Sequence, residues 1–178
     1  MDRPKITERN APPTNPTLMF TGQEVLATLV QLGVTHVIWI PDSATGLWEA
    51  DLESEPSLEL LRVCREGEAW PLAAGLTLGG KKPFVVMQTT GLFESGDALR
   101  NIVFDLQIPV FALIGVRNWL YPDSPDTARR FTKPIMDAWQ LGAVWIESPD
   151  DKPRLLEHVK KSMATDQAGI VLMAEGKG

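Results

Sequence analysis

Cysteine is almost missing from this chain: Cys64 stands alone among 178 residues. A single thiol excludes an internal disulfide and a thiolate zinc cluster, and it suits a reducing cytoplasm. Histidine is nearly as scarce. His36 and His158 are the only two, neither has a partner at metal-ligand spacing, and a histidine metal site or a catalytic triad therefore has little footing. Positive charge is in deficit: 17 Lys and Arg face 23 Asp and Glu, a net charge of −6 that offers no electrostatic footprint for nucleic acid. No apolar run is long enough to span a membrane, and the opening Met1-Asp2-Arg3-Pro4-Lys5-Ile6 lacks the apolar core of a secretion signal, so a cytoplasmic protein is expected. Neither a Gly-x-Gly-x-x-Gly fingerprint nor a Walker loop is present, which leaves a nucleotide-binding reading without its motif.

The composition that remains, 44% hydrophobic and 22% charged, is that of an ordinary globular chain with enough material for one domain and a sizeable core. Residues 1–16 hold Pro4, Pro12, Pro13 and Pro16 among polar neighbours and read as a flexible N-terminal arm. Residues 17–178 read as a single domain without internal repeats.

Within that domain Thr21 is placed to cap a helix whose Val25, Leu29 and Leu32 share one face and which Gly33 ends. His36–Ile40 reads as a first strand, followed by a turn at Pro41-Asp42-Ser43 and a short helix over 46–52. Leu58–Val63 is a second strand. It delivers Glu66 and Glu68 to the first turn of a small-residue helix that carries Ala73 and Ala74 and ends at Gly79-Gly80. Phe84–Met87, just after Pro83, is too short for a helix and reads as a strand buried on both faces. Gln88-Thr89-Thr90-Gly91 leaves it as a polar turn, at the end where open parallel sheets bind ligands. Further along come a helix from Glu94, a buried strand over Pro109–Ile114, a long polar loop over 116–130 and a helix over Lys133–Leu141. The chain closes with a strand over Ala143–Ile146, a helix capped by Asp150 or Asp151, and a last strand over Gly169–Met173. Strand and helix alternate, which predicts a three-layer α/β/α domain around a mainly parallel sheet.

Taken in order, Arg65-Glu66-Gly67-Glu68, Ala73-Ala74-Gly75, Gly80-Lys81-Lys82-Pro83 and Met87-Gln88-Thr89-Thr90-Gly91-Leu92 resemble the pyrimidine-binding domain of thiamine-diphosphate-dependent enzymes. The nearest likeness is to the sulfopyruvate and phosphonopyruvate decarboxylases. It extends to Ile40-Pro41-Asp42-Ser43 and Ile108-Pro109 and covers most of the chain beyond the proline-rich start. The resemblance implies the thiamine-diphosphate-binding fold of the pyrimidine type. It puts Glu66 in the place of the catalytic glutamate that hydrogen-bonds the cofactor's aminopyrimidine, with Trp70, Leu72 and Met87 as its dry wall. Gln88, Thr89, Thr90, Gly91 and Leu92 are the candidate cofactor-binding turn. Asp42 and Ser43 would face the reacting end of cofactor and substrate, and Arg117 would hold an anionic substrate tail, with Arg129, Arg130 and Lys133 nearby.

Each residue also has a plainer reading. Glu66 by itself is a first-turn helix acid worth about 0.3–1 kcal/mol against the dipole, Glu68 is a solvated helix residue, Asp42 and Ser43 suit a β-turn with a helix cap, and Arg117 suits a solvated loop. Trp39, Trp139 and Trp145 look like core, whereas Trp48 and Trp119 lie near the site loops, where they can close a pocket or meet a partner. Phe93 and Glu94 stand where the resembling decarboxylases carry Gly and Asn, and Asp97 stands where they carry Asn. The Gly-Asp-Gly with a distant Asn that holds Mg²⁺ and diphosphate in such enzymes is not found; Ser95-Gly96-Asp97-Ala98 lacks the second Gly. The resemblance therefore implies the alpha subunit of a two-component decarboxylase of small 2-oxo acids, inactive alone. A separate diphosphate-binding beta subunit would bring the Mg²⁺ and complete a hetero-oligomer. A carboligating enzyme subunit, or a non-catalytic regulatory one, is the alternative.

Overall fold

Strands of four to six residues joined through helices can pair with their neighbours only by crossover, and the sheet is parallel throughout. The computed structural model describes residues 19–176, so the expected arm over 1–16 lies outside the described residues. The strands are β1 (His36–Trp39), β2 (Glu59–Arg62), β3 (Pro83–Gln88), β4 (Phe111–Val116), β5 (Ala143–Ile146) and β6 (Gly169–Ala174), arranged β2-β1-β3-β4-β6-β5. The helices are α1 (Gly22–Leu32), α2 (Glu49–Glu53), α3 (Glu66–Leu78), α4 (Thr89–Glu94), α5 (Gly96–Arg100), α6 (Thr127–Trp139) and α7 (Pro153–Ala164). A 3₁₀ turn leads into α2, another precedes α7, and a π turn over Asn101–Asp105 extends α5. No helix among the described residues is long and apolar enough to cross a membrane.

Alternation along the strands builds two apolar cores, one on each face of the sheet. Val37, Trp39, Phe84, Val86, Val171 and Met173 pack on one side with Leu29 of α1, Leu52 of α2 and Val159 of α7. Their sequence neighbours Ile38, Val85, Met87, Ile170 and Leu172 face the other way, against Trp70 and Ala74 of α3, Leu92 of α4, Leu99 of α5 and Met136 of α6. The result is the three-layer α/β/α architecture expected from the order of elements.

Capping follows local chemistry. Thr21 Oγ1 accepts from the Glu24 amide at 3.2 Å while Glu24 returns to the Thr21 amide at 2.8 Å, and Gly33 ends α1 with φ +69°. Four expectations shift. Gln88–Gly91 is not a free turn: helix α4 starts at Thr89, directly off β3, because first-turn amides need no intrahelical partner and so tolerate Thr and Gly. Strand β4 starts at Phe111 rather than Pro109, whose ring nitrogen cannot donate to the ladder. Helix α6 starts at Thr127, not Lys133, because Asp126 caps it by accepting from the Ala128 amide at 2.9 Å, which shortens the polar loop to 117–126. Asp151 does not cap α7; its carboxylate accepts the Glu147 and Ser148 amides at 3.1 and 3.0 Å and so holds the preceding turn.

Candidate functional site at the carboxyl edge of the sheet

From β1 the chain steps outward to β2 and then returns to place β3 on the other flank of β1, so the strand order reverses between β1 and β3. Loops leaving the carboxyl ends of two such strands diverge and open a crevice where α/β sheets bind ligands. Here those loops are Asp42-Ser43 after β1 and Gln88-Thr89 after β3, and the sharp connection from β2 brings Glu66 to the same edge.

Glu66 opens α3 half-buried, and among the described residues its carboxylate accepts no hydrogen bond. It lies on the backbone of Gly91: a Cβ built there would come within 2.7 Å of Oε1 and 2.8 Å of Cδ. Gly91 is locked from behind, since Ser95 Oγ donates to its carbonyl at 2.6 Å and accepts from the indole Nε1 of fully buried Trp70 at 2.8 Å. Met87 is buried in the same core, while Leu72 is exposed and takes no part in the wall. Glu68 is committed elsewhere; its carboxylate accepts the amides of Cys64 and Arg65 at 3.1 and 3.4 Å. Of the two acids in the first turn, Glu66 is the one left uncommitted.

Glu94 and Asp97 are accounted for by local partners. Glu94 accepts the Gly67 amide at 3.0 Å and pairs with Arg65, whose guanidinium holds the Glu94 carboxyl below its ordinary pKa. Asp97 is turned to solvent beside Arg100 at 3.0 Å. Neither places an unmatched buried charge next to Glu66.

A second cluster crosses the sheet edge on the face of α1, α2 and α7. Gln88 and Gly115 are paired in register, and Glu175 follows β6 in the same alternation as Val171 and Met173. Gln88 Nε2 donates to Glu175 Oε2 at 3.3 Å, and a Cβ at Gly115 would sit 2.9 Å from Glu175 Cδ. Glu175 is 2% exposed, and its Oε1 is buried without a hydrogen-bond partner. Burial pushes its carboxyl up to about 8, with Asp42 adding to the rise and Arg117 opposing it. No motif marks Glu175 in the sequence. The available signal was an acid directly after the apolar run Gly169–Ala174, at the carboxyl end of a parallel strand.

The remaining candidates fall as follows. Asp42 takes the turn-and-cap role: it accepts the Ala44 and Thr45 amides at 2.7 and 2.8 Å and the Thr45 hydroxyl at 2.9 Å. Ser43 is exposed beside it. Thr89 is buried with an unpartnered hydroxyl, Thr90 is exposed, and Leu92 lies wholly in the core, so Gly91 is the member of the predicted turn that touches Glu66. Arg117 donates through Nε to Asp126 at 2.8 Å and opens onto a cleft of about 490 Å³ shared with Asn118, Tyr121 and Ser124. Trp119 stacks near Trp145 at 4.3 Å between centroids and carries Arg129 over its ring. Trp48 closes no pocket; it is buried in the core and donates to the Phe20 carbonyl at 3.1 Å.

An aminopyrimidine requires a sheltered carboxyl with an oxygen to spare and a backbone that lets the ring approach. Glu66, half-buried and without a hydrogen-bond donor among the described residues, meets the first demand, and Gly91, with no Cβ, lets that side chain lie against the backbone. Among the described residues no three His, Cys, Asp or Glu side chains are grouped to hold a metal ion.

No family model matches the chain. It is 25% identical over 114 residues to the sulfopyruvate decarboxylase subunit alpha of Methanocaldococcus jannaschii, covering 63% of this chain and 68% of that one. To the corresponding subunit of Methanococcus maripaludis it is 23% identical over 141 residues, 78% of this chain and 84% of the relative. A 95-residue stretch, 53% of this chain, is 32% identical to the phosphonopyruvate decarboxylase of Streptomyces viridochromogenes, of whose length it spans 24%.

Proposed function

From its relationship to the sulfopyruvate and phosphonopyruvate decarboxylases, we propose that this chain is the alpha, pyrimidine-binding subunit of a thiamine-diphosphate-dependent decarboxylase of small 2-oxo acids. The observation that carries the reading is the uncommitted, half-buried Glu66 carboxylate lying on a residue without a Cβ. Glu66 presents an oxygen to the ring nitrogen of the aminopyrimidine and shares a proton with it. Gly91, lacking a Cβ, lets the Glu66 side chain lie flat against the backbone, and the Ser95 and Trp70 hydrogen bonds keep that backbone from moving. When bound, the cofactor supplies the electron sink for the pair released as carbon dioxide leaves, and the protein supplies position and charge. Arg117 offers a cation to the anionic tail of the substrate. The word alpha in the relatives' names supports a second subunit, which in this reading brings the Mg²⁺ and the diphosphate site.

The test combines the chain with a diphosphate-binding subunit from the same source and follows carbon dioxide release from sulfopyruvate and phosphonopyruvate. Glu66→Gln keeps the shape and loses the shared proton, so turnover should fall by roughly 10²–10⁴-fold while circular dichroism and subunit assembly stay unchanged. Retained turnover in Glu66→Gln removes Glu66 from catalysis. A complex of both wild-type chains that binds thiamine diphosphate without turning over either acid points instead to a non-catalytic subunit.

A further inference from the structure

A second acid at the same sheet edge has no part in the chemistry assigned to Glu66. Glu175 is sealed behind Gln88 and Gly115, its Oε1 has no donor, and the negative charge of Asp42 acts on it from the turn after β1. Among the described residues Arg117, after β4, is the cation that acts on it, and Arg117 is already tied to Asp126 at the head of α6. Gln88 and Gly115, the neighbours contributed by β3 and β4, carry no charge. A carboxylate in this position is poorly matched, because among the described residues the Gln88 N–H is the one donor to it, whereas a neutral carboxylic acid keeps that contact through its carbonyl oxygen and carries no buried charge.

We propose that Glu175 is a positioning residue that holds a proton beneath the substrate end of the site, so that an anionic ligand reaching Arg117 meets no further negative charge from Glu175 and binds more weakly once that proton is lost. The inference rests on the 2-oxo acid reading. A 2-oxo acid with a sulfonate or phosphonate tail carries at least two negative charges, and an ionised Glu175 would set a third beside them, in a region of low dielectric where Coulomb terms are poorly screened. Binding the anion and keeping the proton then favour each other, and by linkage each strengthens the other by the same factor. The raised carboxyl pKa of Glu175 agrees with this arrangement.

Sulfoacetate is a suitable probe because its sulfonate and carboxylate are both ionised across the range tested. Calorimetric titration of the full chain between pH 6.5 and 9 should show affinity falling by at least about fivefold as pH rises, the lower end of ordinary coupling factors. In Glu175→Gln, which is neutral at every pH and nearly the same shape, affinity should be flat. A wild-type affinity that does not vary with pH, or a fall that persists equally in Glu175→Gln, overturns the coupling and leaves the decarboxylase reading standing. Absence of sulfoacetate binding by the wild-type protein at pH 6.5, with or without the beta subunit, overturns the anionic-substrate reading and the coupling with it. Should Glu175→Gln fail to fold, infrared spectroscopy of the wild type decides. A neutral-carboxyl band present at pH 6.5, lost by pH 9 and restored by sulfoacetate at intermediate pH supports the proposal, and its absence overturns it.

Discussion

Glu66, the first residue of α3, rests its carboxylate on the backbone of Gly91 in the opening turn of α4. The two residues are separated by a whole helix and a strand, yet they meet because α3 crosses back from β2 over β1 to pack on β3 and α4. Any group larger than hydrogen on Gly91 must displace the carboxyl.

Gly91→Ala therefore separates stability from function. Within a helix, Ala is favoured over Gly by about 0.5–1 kcal/mol, which offsets part of the clash with a movable side chain. We expect thermal stability close to wild type and turnover with the beta subunit lowered at least tenfold. A variant that is both stable and fully active contradicts the placement of Glu66 against Gly91.

Ser95→Ala should act through Trp70. The indole Nε1 loses its acceptor at 2.8 Å in a fully buried position, and an unsatisfied buried donor costs about 1–3 kcal/mol. Urea unfolding should show that loss as a lower midpoint with an unchanged slope. A change under about 0.5 kcal/mol, the range of ordinary surface substitutions, speaks against this lock on the site.

The pH dependence of stability has a defined sign. The Glu175 carboxyl pKa rises from its ordinary 4.5 to about 8 in the folded chain. Between these values the native state binds the extra proton, so this group's contribution is complete below 4.5 and is lost as pH climbs to 8. The melting temperature of the wild type should fall over that window more steeply than that of Glu175→Gln, and at pH 9 the variant should be the more stable. Parallel curves contradict the buried neutral acid.

Asp126 both caps α6 and pairs with Arg117. Burial pushes its carboxyl up, but Arg117, Asn118 and the Ala128 amide outweigh burial and hold it below its ordinary value. Asp126→Ala removes cap and pair and should cost about 1 kcal/mol or somewhat more, whereas Asp126→Asn keeps the cap and should lose less than half of that. Equal losses in urea unfolding would mean that the ion pair, not the cap, holds the 117–126 loop.

Much of the fold was legible because its signals are local. Thr21 with Glu24 and Gly33 bracket α1, and short apolar runs such as Phe84–Met87 can only be buried strands in a chain that alternates with helices. Local signals also misled. Pro109 looked like a strand residue on hydrophobic context, although it cannot join the ladder. The helix expected from Lys133 begins six residues earlier, because Asp126 caps the chain there. For the site, the order of motifs pointed to Glu66 and to the whole run Gln88–Leu92; within that run Gly91 lies against Glu66, while Leu92 turns inward to the core.

The sequence by itself determined the alternating elements, their caps and the small residues at the head of α3 and α4, since each depends on neighbours a few positions away. Only the tertiary structure decided that Glu175 meets Gln88 and Gly115. That contact exists because β6 inserts beside β4 while β5 takes the sheet margin, and strand order is set by burial of whole faces rather than by any residue near Glu175. The same packing strips water from Glu175 and so raises its carboxyl pKa.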